Sequence, residues 1–261
     1  MKMHFYIEVV INGGEQMGLC TIFGINGIGK DTIAEELRKK NQGIEVTSMS
    51  RLLMFILGIS KTYDAREKIS ERQYKTLENI PQSKMIDIEN NEYKELIEKI
   101  SKSDKDVIIL AHLISALRLG KEVKFLEDRK TPGWFVDMNK KLIQLTAPPQ
   151  LISERRQKDQ RRIRGYEVAK IVEHQKLCDK EWERIREKDS YSRQKMFIVE
   201  NIELNKAVND IEEIIFDRKK AKSTSASRSQ FVQSLKFETD NIYIKNNSIK
   251  SKEERGRDDG R

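Results

Sequence analysis

Residues 18–32 read GLCTIFGINGIGKDT: a short apolar run, a glycine-rich loop ending in Gly-Lys, then helix-forming residues. The string fits the phosphate-binding pattern G-x-x-x-x-G-K-[ST] at every position but the last. Gly24, Gly29 and Lys30 are in place, Asp31 stands where Ser or Thr is usual, and Thr32 follows. Glycines let successive backbone N–H groups converge on phosphate oxygens. The helix that starts near Lys30 points the positive end of its dipole at the same place, and a lysine there reaches the outer phosphates. The context is the one this chemistry requires. Leu19 to Phe23 is strand-like, and Ile33, Ala34 and Leu37 are apolar at helical spacing. The segment Gly24, Ile25, Asn26, Gly27, Ile28, Gly29, Lys30, Asp31 and Thr32 is therefore expected to cradle a nucleoside triphosphate.

Four further apolar runs suit buried parallel strands: Ile44–Thr47, Val107–Ala111, Leu142–Thr146 and Met196–Val199. Helical patterns separate them, which predicts a doubly wound α/β fold with a five-stranded parallel sheet. Ligands of such sheets sit at the carboxyl ends of the strands, where the glycine loop also falls. A long helical insertion rich in Glu, Lys and Ile is expected over about 64–103, and a second charged helical stretch over about 149–190, entered at Pro148-Pro149. From Arg218 the periodicity ends. KKAKSTSASRSQ and SIKSKEERGRDDGR predict a largely disordered tail, with a weak hairpin over 231–245 as the alternative. Residues 1–16 precede Met17, which is placed to open a phosphate-loop domain. Translation is expected to begin there, with HFYIEVVI as an added edge strand the competing view. The expected organisation is thus 1–16, a domain over 17–216, and a basic tail over 217–261.

Charge narrows the function classes. Charged residues make up 35% of the 261 positions, with a formal net charge of +8. The tail holds twelve Lys/Arg against seven Asp/Glu, which leaves residues 1–216 close to balance. A uniformly basic nucleic-acid binder would look different. Two cysteines, Cys20 and Cys178, make neither a disulfide framework nor a metal site, and the expected compartment is a reducing cytoplasm. No apolar run nears the roughly 20 residues of a membrane span.

Between Pro148 and Arg164 the chain reads PPQLISERRQKDQRRIR, with Arg155, Arg156, Lys158, Arg161, Arg162 and Arg164 falling within ten positions. Composition alone reads this as a solvated helix face, with Arg155 and Asp159 as an i,i+4 pair. Its place after the fourth strand gives it a second meaning. GINGIGKDT, SRLLMFILG, DAREKI, VIILAH, TPGW, ERRQKDQRRIR, VEHQ at 172–175, and a last strand followed by NDIEEII occur in one order over about 200 residues. In that order the region 17–216 resembles the archaeal type of adenylate kinase, a nucleoside-monophosphate kinase family of phosphate-loop kinases.

The resemblance implies a three-layer P-loop kinase fold with a helical acceptor-binding insertion and a short lid. It also implies reversible transfer of the γ-phosphoryl group of Mg-ATP to a nucleoside monophosphate, AMP first among them. Such transfer needs positioning, charge stabilisation and exclusion of water rather than a general base. Lys30 would bridge the β and γ phosphates, and Arg155, Arg156, Arg162 and Arg164 would close over the transferring group. Arg51, Arg66 and His112 would face the acceptor, although each also reads as an ordinary surface or structural residue. The turn at Glu200-Asn201 would border the adenine through backbone groups, while Trp134 is expected to belong to the core. The family includes oligomers, so a homo-oligomer is compatible with the resemblance.

Two departures from the family bear on the metal. Its third strand commonly ends Asp-Thr-His, whereas Leu110, Ala111 and His112 stand here. Asp31 meanwhile replaces the hydroxyl after the loop lysine. A carboxylate is a natural Mg²⁺ ligand, directly or through water, and suits a helix N-terminus. Asp31 is therefore expected to order the metal, with Thr32 the alternative. A second class of function stays open: a slow ATPase acting as an assembly factor, its tail over 218–261 docking on RNA or a ribonucleoprotein. A third keeps the transfer chemistry with another nucleotide or a phosphorylated metabolite as acceptor.

Overall fold

The computed structural model describes residues 18–65, 91–119, 122–127, 130–159, 167–188 and 190–216, with isolated positions between 69 and 88. The expectations for residues 1–16, for the tail over 217–261 and for Arg66, Arg162 and Arg164 fall outside these residues, as does most of 64–90.

Five parallel strands form the central sheet. They are β1 (Leu19–Phe23), β2 (Ile44–Ser48), β3 (Asp106–Ala111), β6 (Lys141–Thr146) and β7 (Met196–Glu200), in the order β2-β3-β1-β6-β7. The strand runs read from the sequence agree with these to within one residue at each end. They were legible because helices cover both faces of a parallel sheet, so inner strands carry apolar residues without alternation. All five residues of β1 are buried, as are Val107 to Ala111 of β3.

The crossovers divide the helices between the two faces of the sheet. The crossover from β1 to β2 carries α1 (Lys30–Lys40), which packs against the last helix, α8 (Leu204–Ile215). α1 buries Ile33, Ala34 and Leu37, and α8 buries Ala207, Val208, Ile211, Ile214 and Ile215. The returning crossovers carry α2 (Met49–Ile56), α3 (Glu92–Ser101), α4 (Gly133–Met138), α5 (Pro149–Lys158), α6 (Val168–Lys188) and α7 (Ser190–Gln194). On that side Phe23 of β1 meets Phe135 and Trp182 edge to face, each at 6.2 Å between ring centroids. Trp134 packs partly buried against Phe135, in keeping with the core role expected of it. A buried aromatic or large aliphatic side chain contributes about 1.5–3 kcal/mol.

One element was not anticipated. After β3 the chain forms an antiparallel hairpin, β4 (Ala116–Leu119) with β5 (Glu122–Phe125), separate from the main sheet. Its base is closed by the Leu126 N–H donating to Ser115 O at 2.9 Å.

Helix α6 fastens this architecture with polar groups on its buried face. His174 contacts Ile114 O at 2.8 Å, Gln175 donates to Ala147 O at 2.9 Å, and the Glu181 carboxylate accepts from the Thr131 N–H at 2.7 Å. Each satisfies a loop backbone group that burial would otherwise leave unpaired at a cost of about 1–3 kcal/mol.

Candidate functional site

The site stands at the carboxyl ends of β1, β3, β6 and β7. β1 feeds a helix on one face and β3 leads to helices on the other, so a crevice opens where the strand order reverses. The Gly24–Gly29 loop lies there. It is tied to the next strand by the Gly24 N–H donating to Ala111 O at 3.3 Å, and it turns within itself through Ile28 N to Ile25 O, also 3.3 Å. Ile25 and Ile28 are buried and root the loop in the core.

Glycine is required at two points. Gly27 has φ 82° and Gly29 φ 102°, a left-handed region that side chains resist. Space forbids a side chain as well. A Cβ on Gly27 would stand 2.6 Å from Cγ of Arg156, and one on Gly29 would stand 2.5 Å from Nδ2 of Asn201. Gly29 also occupies the N-cap of α1, and no side chain caps that helix. α2, by contrast, is capped by Ser48, whose hydroxyl accepts from the Arg51 N–H. The first-turn N–H groups of α1 are thus left for an anion, the arrangement that favours phosphate.

Lys30 is buried, 9% exposed, and its ammonium folds back over the loop. Nζ donates to Gly24 O at 2.5 Å and approaches Ile25 O at 3.3 Å. Asp31 and Thr32 follow on the first turn with exposed side chains. Among the described residues no three His, Cys, Asp or Glu side chains cluster as metal ligands. Any metal here would rest on Asp31, the neighbouring hydroxyl and the substrate's own oxygens.

Two arginines arrive from α5. Arg156 Nε donates to Asn26 O at 2.9 Å, with its stem across Gly27. Arg155 spans the loop and the turn after β7, donating to Ile28 O at 3.1 Å and Ile202 O at 3.3 Å. Partial burial lowers the Arg155 pKa, yet a guanidinium remains charged at any physiological pH. Both side chains therefore lie against the loop carbonyls.

Asn201 completes the loop's support in a way the sequence did not reveal. Its backbone N–H donates to Thr146 O at 2.7 Å, and its side-chain Nδ2 donates to Ile28 O at 2.6 Å. Ile28 O thus accepts from both Asn201 and Arg155. Asn201 is 2% exposed, and its Oδ1 has no hydrogen-bond partner among the described residues. Gly29→Ala is expected to cost about 1–3 kcal/mol in a urea titration. Paired with Asn201→Ala it should cost less than the two changes summed, because the clash disappears and only the backbone strain remains. Additive losses would mean that the loop relaxes away from Asn201.

The remaining expected residues are spread along the strand ends. His112 directly follows β3, half-buried beside the loop's anchor at Ala111. Arg51 lies two strands from β1, on α2, and donates to Asp64 O at 2.9 Å, so it braces the chain leaving α2. Leu110 is 6% exposed, and no acid stands at the end of β3. Burial pushes the Cys20 and Cys178 thiols up to about 12, which makes both inert at neutral pH. Both are free of disulfides, and no helix among the described residues is long and apolar enough to cross a membrane.

No family model matches the chain, and no curated protein does. Among solved structures it is similar to a shikimate kinase from Bacteroides thetaiotaomicron, at 14% identity and a TM-score of 0.42 over 76% of this chain and 98% of that one. It is similar to a gluconokinase from Sinorhizobium meliloti at 13% identity and a TM-score of 0.40, over 85% and 97% of the two chains. A shikimate kinase from Acinetobacter baumannii in complex with shikimate gives 14% identity and a TM-score of 0.40, over 79% and 96%.

Proposed function

We propose that the protein is a phosphotransferase that moves the γ-phosphoryl group of Mg-ATP to a nucleoside monophosphate, AMP first among them. One observation carries the reading: a glycine loop with an uncapped helix start receives hydrogen bonds on its carbonyls from a buried lysine and two arginines. Three cations around one anion cradle suit a transition state whose charge spreads over several oxygens. AMP as acceptor, like the roles of Arg51, Arg66, Arg162, Arg164 and His112, rests on the resemblance to the archaeal adenylate kinases.

In this reading the loop N–H groups hold the donor's β phosphate. Lys30 exchanges its loop carbonyls for the β and γ oxygens, and Arg156 and Arg155 turn from their carbonyl partners to the transferring group. No side chain need take a proton, because the acceptor phosphate is ionised at neutral pH. Mg²⁺ neutralises donor charge and orders its oxygens when bound. A single exposed carboxylate at Asp31 fits a cation that keeps most of its shell as water and phosphate. Asp31→Asn is expected to raise the Mg²⁺ concentration for half-maximal turnover by about 10- to 100-fold. An unchanged magnesium titration would move the metal role to Thr32.

The deciding assay follows label from γ-labelled ATP into AMP, GMP, CMP, UMP and dTMP, with Lys30→Ala as blank. Labelled diphosphate from one acceptor supports the reading and identifies the substrate. Labelled phosphate alone, unaffected by any acceptor, supports the slow ATPase instead, which the apolar end of β3 at Leu110 favours. In that case RNA binding that falls steeply with salt and is lost on deleting 218–261 would complete the second reading.

A further inference from the structure

His174, so far only a contact that fastens α6, has no part in the site described above, yet its contacts join two parts of the molecule. It lies on α6, the helix that follows the arginine-bearing α5 after residues 159–167. It is 3% exposed. Nε2 makes a 2.8 Å hydrogen bond with Ile114 O, in the segment that leaves β3 at the crevice. Its ring lies 4.6 Å from the ring of Phe125, tilted by 30°. Phe125 ends the hairpin that Ser115 and Leu126 close. One side chain thus grips both the entry and the exit of the β4–β5 hairpin.

The ring is also held in one protonation state. Burial, then the positive charges of Arg156 and Lys30, lower its pKa to about 4, against the opposing Ile114 bond and Glu173. The neutral imidazole therefore donates from Nε2 to a carbonyl, as a fixed joint rather than a titrating group. The hairpin itself continues from β3, the strand beside the phosphate loop on the side away from the Arg155 and Asn201 supports. It therefore starts from the β3 edge of the crevice, while its base rests on α6, the helix packed against the arginine-bearing α5.

We infer that His174 is a positioning residue for the acceptor: by clamping the base of the β4–β5 hairpin to α6, it sets the acceptor-side wall in register with the closing arginines. The inference rests on the phosphotransferase reading above. The acceptor it concerns is a small phosphorylated molecule entering beside His112, opposite the triphosphate.

The test is steady-state kinetics of the full chain carrying His174→Phe, which keeps a ring but loses the donor, or Phe125→Leu, which removes the ring contact. The acceptor is the one the wild-type protein phosphorylates in the panel above. KM for the acceptor is expected to rise about 5- to 20-fold, the range for losing one buried contact, with KM for ATP within about twofold. A merely structural role would raise both KM values together or lower only the melting temperature. Equal rises, or an unchanged acceptor KM in a folded variant, would overturn the inference while leaving the transferase reading intact. If His174→Phe does not fold, Phe125→Leu alone decides by the same split. Absence of transfer by the wild-type protein would overturn the function, and this inference with it.

Discussion

Lys30→Ala is expected to lower kcat/KM for phosphoryl transfer by about 10²- to 10³-fold while the protein stays folded. The ammonium is buried over the loop, where it donates to the carbonyls of Gly24 and Ile25. A compact charge on a flexible stem can leave those carbonyls for phosphate oxygens without moving the backbone. Its removal deletes a full charge where negative charge gathers. The cost to the fold is smaller, about 1–3 kcal/mol, the loss of one buried donor to two loop carbonyls. Kinetics and a denaturant titration on the same preparation separate the two effects. A loss below tenfold in kcat/KM would mean that Lys30 only braces the loop.

The second large effect is expected at Arg156. Arg156→Ala should reduce kcat by about 10²- to 10³-fold with a smaller change in KM for ATP, since a guanidinium laid across the crown of the loop meets the transferring group more than the bound donor. Arg155 offers the contrast. Besides turning to the transferring group it joins Ile28 O to Ile202 O, so Arg155→Ala should also loosen the turn after β7 and raise KM for ATP as well as lower kcat. Arg156→Lys should recover little, because a point charge cannot reproduce the planar fork. Kinetic profiles of the two alanine variants that cannot be told apart would count against separate roles.

The inner strands were legible because they are buried on both faces, and an uninterrupted apolar run such as VIILA has few other readings, whereas the partly exposed edge strand β7 was legible from its apolar run MFIV alone. The loop was legible because its backbone geometry demands glycine, and Gly27 and Gly29 adopt the left-handed conformations that leave little choice. The hairpin was missed although ALRL and EVKF flank Gly120-Lys121, a two-residue hairpin signal. The apolar run from Val107 continues almost to Leu119 and conceals the break between strand and hairpin. Asn201 was placed at the site for its backbone, while its side chain proved to hold Ile28 O. No local pattern marks an asparagine whose partner lies 173 positions away. His174 was legible only as part of a tetrapeptide, because its partners, Ile114 and Phe125, come from a segment whose fold the sequence did not disclose. Arg51 was expected toward an acceptor phosphate, and its hydrogen bond to Asp64 O became visible only in three dimensions.

Phosphorus NMR of the full chain with Mg-ATP and AMP tests the central claim most directly, because it counts every phosphate at once. The expected result is loss of ATP and AMP in equal amounts with two ADP formed for each pair, and no inorganic phosphate. Accumulation of inorganic phosphate with AMP untouched would contradict phosphoryl transfer to the nucleotide and leave a hydrolase.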